Sequence, residues 1–529
     1  MPRPARAHSE SPMTRVELPE GRHFAVTWSI PDEFGGMTDA MLRRSAAFSR
    51  LGGVHVDVLT FDARPDTRLL EETLRARGSL ADGVRLVNLY DWLREHPLPG
   101  GSLRLDRDVF TPLTDADTTE PVRNGDVVTS RIRRDDDGRM LQHDHYRDDG
   151  TLVLSDRRDT REHGTLGGRS VVLCDEEGRP VRSWRRIWPL YTAWLDALTA
   201  GEPSFVVVDS KTIARFMLTY RRPHVTTAHV VHGSHRAGPE EGHPIRRSRR
   251  EVFEHLDDFD LVAVLSRRQA DEVERLLGPR SNLAVIPNPR GGVPEPEVAV
   301  RPRDPDRAVV LAALTPRKRV SHAISAVQRA SARLGTPLRL DVYGDGESRS
   351  ALERRVDGTA VVEFHGYDPD ARRRLADASF LLLTSRSEGF PLVLIESMAA
   401  GCLPIAYDVA YGPADLIRDG RNGFLVPPGD IEALATALAH ARTLPPGRTS
   451  AMRRRAVRAA RRFDDERVVA LWSRELRRAA ARRRLRHSTR FRALRSGVAR
   501  TPLAAPLRSL AVAVMAALER MRPGIDRAG

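Results

Sequence analysis

Short apolar runs, bounded by glycine-rich turns, alternate with longer amphipathic segments along most of this chain. Residues 23–28 and 54–61 are runs typical of buried strands, and residues 39–51 between them are predicted to form a helix. A strand, a glycine loop, a helix and a second strand open a parallel α/β domain. Further strands of this first domain are predicted at residues 205–209, 224–231 and 261–265.

The pattern changes between about residues 100 and 185, where Asp-Gly turns separate short strand-like runs. Three such turns end at Gly138, Gly150 and Gly178, and strand-like runs occupy residues 151–154 and 170–174. Turns of this kind between alternating runs indicate β-hairpins. We therefore predict an antiparallel β insertion within the first domain, an appendage that would extend a binding surface or form a contact between copies of the chain.

A second α/β pattern follows a Pro-rich connection at residues 291–305. The fold class expected is α/β, with two doubly wound Rossmann-like domains that face a cleft and bind a ligand beyond the carboxyl ends of their strands. The predicted division is a leader at 1–20, a first domain at 21–297, a second domain at 298–472 and a basic helical tail at 473–529. Strands of the second domain are predicted at residues 308–314, 338–343, 361–365, 380–383 and 403–406.

Charge suggests an anionic partner, because the net charge is +14. Residues 474–500 hold eleven arginines and one glutamate, and an apolar stretch follows at residues 507–518. A basic helix beside an apolar one suits an anionic membrane surface or a polyanion. A solvated tail is the alternative, and nucleic acid is disfavoured because no aromatic stacking platform is evident.

The chain lacks the sequence signals of export. Its first residues have no apolar core typical of a signal peptide, and no run reaches the roughly 18–20 apolar residues that span a bilayer. The two cysteines, Cys174 and Cys402, have no spacing typical of a disulfide framework or a metal site. We expect a cytoplasmic protein, peripheral at the inner face of the membrane if the tail binds there, with no cofactor.

Candidate chemistry concentrates around two carboxylates eight residues apart. Glu388 follows the predicted strand at 380–383, and Glu396 falls on the next predicted helix. A helix N-terminus favours an anion such as phosphate, and carboxylates beside it can accept hydrogen bonds from sugar hydroxyls. The pair therefore suggests a sugar diphosphate. Alternatively, Glu388 complements the helix dipole and Glu396 is a solvated helix residue.

The surrounding motifs favour the first interpretation. Glu-Gly-Phe-Pro-Leu-Val-Leu-Ile-Glu (388–396) and Asp-Gly-Arg-Asn-Gly-Phe-Leu-Val-Pro-Pro-Gly (419–429) resemble the nucleotide-sugar site of family 4 retaining glycosyltransferases. Gly-Gly-Met-Thr (35–38) and His-Tyr-Arg-Asp-Asp-Gly (145–150) resemble the poly(glycerol-phosphate) α-glucosyltransferases of wall teichoic acid. Glycosyltransferases of serine-rich adhesins share the insertion. The resemblance covers roughly residues 22–470 and implies the two-domain fold called GT-B.

This resemblance also implies roles for individual residues. Lys318, Glu388 and His232 are the expected catalytic residues: Lys318 stabilises the diphosphate, Glu388 binds sugar hydroxyls, and His232 lies near the transferred sugar. Glu396 is expected to bind the ribose diol. The chain departs from the family at Ala313, where the family has an arginine, so Arg317 or Arg319 is expected to replace it. Donor-binding residues are expected to be Gly36, Arg317, Arg319, Gly344, Tyr367, Gly389, Phe390, Pro391, Leu392 and Glu396.

Metal binding is not expected. His229, His232 and His235 lie along one strand and the loop after it, where three imidazoles do not converge easily, and His235 is the second candidate for the position near the sugar. The family needs no Asp-x-Asp metal motif, and the acidic run at residues 135–137 is read as a turn in the insertion.

The reaction implied is retaining transfer of a hexose or N-acetylhexosamine from a nucleoside-diphosphate sugar, expected to be UDP-linked. The acceptor implied is a cell-envelope polymer such as a teichoic-acid-like poly(polyol phosphate). In the mechanism generally assigned to these enzymes, the acceptor attacks from the leaving-group face and the departing phosphate takes the proton. Two alternatives stay open, an O-glycosyltransferase of serine-rich protein and a catalytically silent partner subunit, the latter because of Ala313.

Overall fold

The computed structural model of the protein describes residues 15–98, 101–104, 110–114, 117, 119–238, 242–291 and 303–487. The predicted apolar helix at 507–518, most of the linker, residues 1–14 of the leader and the tail beyond residue 487 lie outside these ranges. Among the described helices, none has both the length and the apolarity needed to cross a bilayer.

Nineteen strands are described in the structure. They are β1 (Arg22–Val26), β2 (Val56–Thr60), β3 (Val84–Asn88), β4 (Glu120–Asn124), β5 (Val127–Arg134), β6 (Met140–Tyr146), β7 (Leu152–Arg157), β8 (Ser170–Cys174), β9 (Pro180–Trp184), β10 (Ser204–Val208), β11 (Val225–Val231), β12 (Leu261–Val264), β13 (Leu283–Val285), β14 (Arg307–Leu311), β15 (Arg339–Tyr343), β16 (Val361–Gly366), β17 (Phe380–Leu383), β18 (Leu403–Tyr407) and β19 (Phe424–Val426).

Fourteen α-helices are described, together with short 3-10 helices at Leu256–Asp258, Ala371–Ala376 and Arg461–Phe463. The α-helices are α1 (Met37–Gly52), α2 (Thr67–Ala76), α3 (Leu89–Glu95), α4 (Trp188–Thr199), α5 (Lys211–Met217), α6 (Arg247–Glu254), α7 (Arg267–Leu277), α8 (Val320–Leu334), α9 (Arg349–Glu353), α10 (Leu392–Ala399), α11 (Pro413–Leu416), α12 (Ile431–Thr443), α13 (Pro446–Ala460) and α14 (Asp465–His487).

Three sheets organise these elements. The strand orders are β13-β12-β11-β10-β1-β2-β3, β16-β15-β14-β17-β18-β19 and β4-β5-β6-β7-β8-β9. The strand pairs described in the first two sheets are parallel, as in Rossmann-like domains, and the third sheet is antiparallel. The fold class predicted from the sequence, including the β insertion, is therefore confirmed.

The antiparallel sheet forms where the Asp-Gly turns predicted it. The N–H of Gly138 donates to the carbonyl of Asp135 between β5 and β6, and the N–H of Gly178 donates to the carbonyl of Asp175 between β8 and β9. A small core of Tyr146, Leu152, Val172 and Cys174 lies against this sheet, with Phe110 packed on it. The acidic run at 135–137 is thus a hairpin turn, as predicted.

The chain divides into two compact units, and two of the boundaries between them fall inside α1 and β11. The N-terminal unit comprises Glu20–Phe34 and Phe48–Thr227. The C-terminal unit comprises the described parts of Met1–Pro19, Gly35–Ala47 and Ala228–Gly529. Every candidate site residue predicted from the sequence falls in the C-terminal unit. The predicted domain boundaries remain a prediction.

Buried apolar strands position the site in the C-terminal unit. All residues of β17 and β18 are buried, as expected for central strands of a parallel sheet covered on both faces. Because β14 and β17 are neighbours in this sheet, the loops that follow them leave its carboxyl edge side by side. These two loops carry Lys318 and Glu388.

Candidate active site

The loops after β14 and β17 are joined by backbone and side-chain hydrogen bonds. The N–H of Arg386 donates to the carbonyl of Arg317 over 2.9 Å. The Thr384 hydroxyl donates to the carbonyl of Lys318 over 3.0 Å. These bonds fix Lys318 next to the segment that carries Glu388.

Lys318 and Glu388 form an ion pair at the centre of this arrangement. The Lys318 Nζ donates to Glu388 Oε1 over 2.6 Å, and their side chains are 18% and 10% exposed. Burial raises the pKa of the Glu388 carboxyl, but the charge and hydrogen bond of Lys318, together with Ser385 and Arg317, outweigh that effect, and the pKa lies below its ordinary value. Glu388 is therefore held as a carboxylate, a hydrogen-bond acceptor and a poor base.

The two arginines that flank Lys318 differ in what they contact. Arg317 Nη1 donates to the carbonyl of Ser387 over 3.1 Å and lies 3.8 Å from Glu388 Oε1. Arg319 precedes α8 with a left-handed backbone, at φ +48°, a conformation that costs energy for a residue with a Cβ. Ala313 is exposed on the same loop. Of the two arginines, Arg317 is thus the one whose described contacts reach Glu388.

Gly389 brings the segment after β11 against the loop after β17. A Cβ on Gly389 would lie 1.9 Å from the carbonyl oxygen of His232 and 2.9 Å from the Cα of Gly233. Only a glycine permits this approach of two backbones. His232, half-buried, is therefore held beside Glu388, and these two predicted catalytic residues lie on adjoining segments.

Glu396 lies on α10 as predicted, with a partner that the sequence did not indicate. It accepts a hydrogen bond from Arg43 of α1, and the two side chains are only 8% and 9% exposed. Arg43 also pairs with Asp39 and donates to the carbonyl of Arg290. The flanking carboxylates keep the pKa of Arg43 above its ordinary value despite its burial, which alone would lower it. The role of Glu396 at a ribose stays a prediction.

A fully buried polar cluster joins the segments that carry His232 and Glu388. Glu272 of α7 accepts hydrogen bonds from Arg236 and from the hydroxyl of Tyr411. The ring of His235 stacks on that of Tyr411, with centroids 5.5 Å apart. The N–H of Tyr411 donates to the carbonyl of Glu388 over 2.8 Å, so the cluster is tied to the Glu388 loop.

Sequence reasoning missed this cluster. Its members come from the loop after β11, from α7 and from the loop after β18, and nothing local in the sequence marks them as partners. The nearest signal was the histidine run, in which His235 was the second candidate for a place near the sugar. His235 is fully buried, and burial lowers its pKa to about 4 against the opposing charge of Glu272.

The other predicted donor-binding residues lie on further loops and helix ends of the same unit. Gly344, at φ +132°, follows β15, and a Cβ there would lie 2.0 Å from the carbonyl oxygen of Ala312. Tyr367 follows β16 and is 38% exposed. Gly36, at φ +54°, accepts the first hydrogen bond of α1. Phe390 and Pro391 follow Gly389 in the loop, and Leu392 is the first residue of α10.

One group of potential metal ligands lies outside these predicted residues. Asp341, Glu363 and His365 place ligand atoms within 4.8 Å of one another. However, Arg307 pairs with Asp341 over 2.6 Å, and Arg339 pairs with Glu363 over 2.7 Å. The two carboxylates are already neutralised by guanidinium groups, so this group is explained as a structural ion-pair cluster.

Comparison with known proteins agrees with this geometry. The profile of the family described as "Glycosyl transferases group 1" matches residues 295–463. The "Poly(glycerol-phosphate) alpha-glucosyltransferase" of Bacillus subtilis (strain 168) is 20% identical over 482 residues, which cover 82% of this chain and 71% of that protein.

Two crystal structures share the fold. A mutant of S. aureus TarM, in complex with fondaparinux, alpha-GlcNAc-glycerol and UDP, superposes with a TM-score of 0.73 and 16% identity, covering 86% of this chain and 100% of that one. The pneumococcal O-GlcNAc transferase GtfA, in complex with UDP and GlcNAc, gives a TM-score of 0.63 and 18% identity, covering 87% and 99%. Residues 295–463 are therefore similar to the group 1 glycosyl transferases, and the described chain has the fold of these two structures.

Proposed function

We propose that this protein is a retaining glycosyltransferase that uses a nucleoside-diphosphate sugar, UDP-linked, as its donor. The sugar is a hexose or an N-acetylhexosamine, and the acceptor is a cell-envelope polymer such as a poly(polyol phosphate). The observation that carries this proposal is the 2.6 Å contact between Lys318 and Glu388 at the carboxyl edge of the second sheet. It sets a cation for phosphate beside an acceptor for sugar hydroxyls.

The donor's diphosphate would take over the contacts of Lys318. An ammonium beside an exposed guanidinium offers charge-assisted hydrogen bonds to phosphate oxygens and stabilises the charge that builds on the leaving group. Of the nearby guanidinium groups, that of Arg317 has the described contacts nearest to Lys318 and Glu388. Arg317 would therefore replace the arginine that the family has at the position of Ala313. The N-terminus of α10, just after Pro391, adds a favourable dipole.

The state of Glu388 supports a binding role rather than proton transfer. A general base needs a pKa near the working pH, whereas the pKa of Glu388 is depressed by Lys318. We infer that Glu388 orients sugar hydroxyls, that the acceptor hydroxyl attacks on the face that the diphosphate leaves, and that a phosphate oxygen takes the proton. His232 lies beside this point and orients the sugar or the acceptor.

The acceptor class rests on the relatives. The B. subtilis relative is named for poly(glycerol phosphate), and the TarM complex holds alpha-GlcNAc-glycerol with UDP. A phosphate polymer also suits the basic balance of this chain, at net charge +14.

A screen of nucleotide sugars, scored by release of nucleoside diphosphate, tests the proposal. Lys318→Ala and Glu388→Gln should each lose at least about 100-fold in kcat, because each removes contacts to charge or hydroxyls in the transition state. Lys211→Ala is a matched control, since Lys211 is the only other lysine and is exposed on α5. If wild type turns over no donor, or if the site variants retain full turnover, the proposal is wrong.

O-glycosylation of protein is the second candidate, favoured by the likeness to GtfA, an O-GlcNAc transferase. Incubation with donor and either a serine-rich peptide or poly(glycerol phosphate), followed by mass spectrometry, separates the two. Sugar on the peptide alone would reject the polymer as acceptor.

A further inference from the structure

Most of the exposed residues of α13 and of the 3-10 helix after it are arginines. The whole segment from residue 446 to residue 463 contains no acidic residue. On one side of α13 the apolar residues Met452, Ala456, Val457 and Ala460 are buried. The exposed residues of α13 and of the 3-10 helix include six arginines: Arg448, Arg454, Arg455, Arg458, Arg461 and Arg462.

The spacing of these arginines places several of them in one row. Arg454, Arg458 and Arg461 lie four and three residues apart, which is the spacing of neighbours on one face of a helix. Successive members of this row are separated by about 4.5–6 Å along the helix axis. The row is therefore a line of cations that can meet several charges on an extended partner.

Ordinary helix energetics explain only part of this face. Cations in the last turn complement the helix dipole, which accounts for Arg458 and its successors. Arg448 lies near the N-terminal end, where the dipole disfavours a cation. Like charges four residues apart also repel one another. Of the next acids along the chain, Asp464 pairs with Arg290, and Asp465 accepts the N–H of Gly291, so both are engaged elsewhere.

The segment that carries the arginine face ends against a loop of the candidate site. Phe463, the last residue of the 3-10 helix, packs edge-to-face on Phe390, with ring centroids 5.4 Å apart. Phe390 belongs to the loop that begins at Glu388. An extended anion bound along α13 would thus run toward the loop that holds the predicted donor site.

We propose that this face, defined by Arg448, Arg454, Arg455, Arg458, Arg461 and Arg462, binds the phosphodiester backbone of the acceptor polymer outside the transfer site. In naming the acceptor, the proposal rests on the proposed function. Guanidinium groups bind phosphate through paired hydrogen bonds, and a row of them gains affinity from several phosphates at once. A polymer held there would be kept near the site through successive transfers.

Two other anionic partners fit the described face less well. A helix that binds a membrane surface inserts its apolar side, whereas the apolar side of α13 is buried in the protein. Single-stranded nucleic acid is usually held by exposed aromatic rings, and the one aromatic residue of this segment, Phe463, is buried against Phe390.

The test compares polymer with monomer. Arg454, Arg455, Arg458 and Arg461 are replaced together by glutamine, and transfer is measured to poly(glycerol phosphate) and to glycerol phosphate. We expect KM for the polymer to rise about tenfold or more, with a weaker salt dependence, because several phosphate contacts are lost. Transfer to glycerol phosphate and hydrolysis of donor should stay at the wild-type level. Glutamine at Arg68, Arg185, Arg186 and Arg354, all exposed, removes the same charge elsewhere as a control.

Direct binding separates this inference from the proposed function. Binding of labelled poly(glycerol phosphate), of phosphatidylglycerol vesicles and of single-stranded DNA is measured for wild type and both variants. Selective loss of polymer binding in the α13 variant supports the inference even if no transfer is ever seen. Unchanged polymer binding, an equal loss in the control variant, or loss only of vesicle or DNA binding would overturn it.

Discussion

The hydroxyl of Tyr411 donates a buried hydrogen bond to the carboxylate of Glu272, which links the loop after β18 to helix α7. The same tyrosine holds the carbonyl of Glu388 through its backbone N–H. Because Glu272 also pairs with Arg236, the polar cluster connects the segments that carry His232 and Glu388. The cluster is thus placed to position both predicted catalytic residues without touching a substrate.

Tyr411→Phe should lower activity more than its effect on stability explains. The substitution removes one hydrogen-bond donor from the buried Glu272 carboxylate, at a cost of about 1–3 kcal/mol. We expect kcat to fall about tenfold while KM for the donor changes little, because the loop that carries Glu388 is less firmly held. The measurements are urea unfolding and release of nucleoside diphosphate.

Tyr220→Phe is the matched control for this variant. The Tyr220 side chain is also buried, and its hydroxyl donates to Asp196 over 3.1 Å in the N-terminal unit. It should lose less stability, because the Asp196 carboxylate is 39% exposed and can be hydrated, and it should keep its kcat. Equal activity in the two variants would reject a positioning role for Tyr411.

Gly389→Ala should disrupt the contact between the His232 segment and the Glu388 loop. The added methyl would lie 1.9 Å from a backbone carbonyl oxygen, which cannot move as a side chain can. We expect a loss of about 1–3 kcal/mol in stability, the scale of overpacking, together with loss of activity.

Gly447→Ala provides the comparison, because a Cβ at Gly447 meets nothing within 4 Å. Alanine there should leave activity unchanged and keep stability within about 1 kcal/mol of wild type. Thermal unfolding of both variants checks the pair. Wild-type stability in Gly389→Ala would show that the two backbones can separate freely.

The Arg43–Glu396 pair allows the structural and binding roles of Glu396 to be separated. Arg43→Met leaves a buried carboxylate unpaired and should cost about 3–5 kcal/mol. Adding Glu396→Met should restore much of that stability, since apolar residues replace the whole pair. If Glu396 binds the ribose, UDP affinity stays low in the stable double variant. Wild-type UDP affinity in that variant, measured by calorimetry, would leave Glu396 with a purely structural role.

Arg317 and Arg319 should differ in function. Arg317→Ala should raise KM for the donor about tenfold, because it removes the guanidinium that reaches toward Glu388. Arg319→Gly should raise stability by about 1 kcal/mol through relief of its left-handed backbone, with a smaller change in KM. The reverse order of KM changes would assign the replacement for the family arginine to Arg319.

Buried histidines predict a loss of stability in mild acid. Burial lowers the pKa of His235, which faces Glu272, Arg236 and Arg249, and that of His143, which faces Asp156, Arg158 and Arg134, in each case to about 4. Between pH 6.5 and about 4 the unfolded chain binds protons that the folded chain does not, so stability falls as pH falls. Each histidine contributes a slope of up to about 1.4 kcal/mol per pH unit.

Urea unfolding at several pH values measures this slope. His143→Gln should flatten it, because glutamine does not titrate and can still contact the Ser130 hydroxyl that lies 3.0 Å from the His143 ring. His55→Gln, at an exposed site, serves as a control for the substitution itself. Identical slopes in all three proteins would show that His143 titrates alike in the folded and unfolded states.

Local pattern was enough to predict the architecture and the loop that carries Glu388. Fully apolar strands such as β17, the Asp-Gly turns of the insertion and the apolar helix after Pro391 each express a local preference that the tertiary structure keeps. Where local preference and fold agree, sequence reasoning succeeds. The position of Glu396 on α10 was predictable for the same reason.

Partners distant in sequence were not predictable. Arg43 meets Glu396 across 353 residues, and Tyr411 meets Glu272 across 139. The sequence around each residue has no pattern that indicates its partner. Only the packing of helices and loops in three dimensions brings the partners together. For Lys318 and Glu388, the sequence indicated only that their loops follow strands of the same sheet. It did not indicate that the two side chains form an ion pair.

The contact of Gly389 with His232, and that of Glu396 with Arg43, have a consequence for fragments of this protein. A fragment cut to residues 295–463, the part that matches the family profile, would contain Lys318, Glu388 and Glu396. It would lack the backbone against which Gly389 rests and the only described cation paired with the Glu396 carboxylate. Such a fragment would expose the backbone at Gly389 and leave the Glu396 carboxylate without its paired cation. Structural and binding studies of the donor site therefore need the chain from α1 onward.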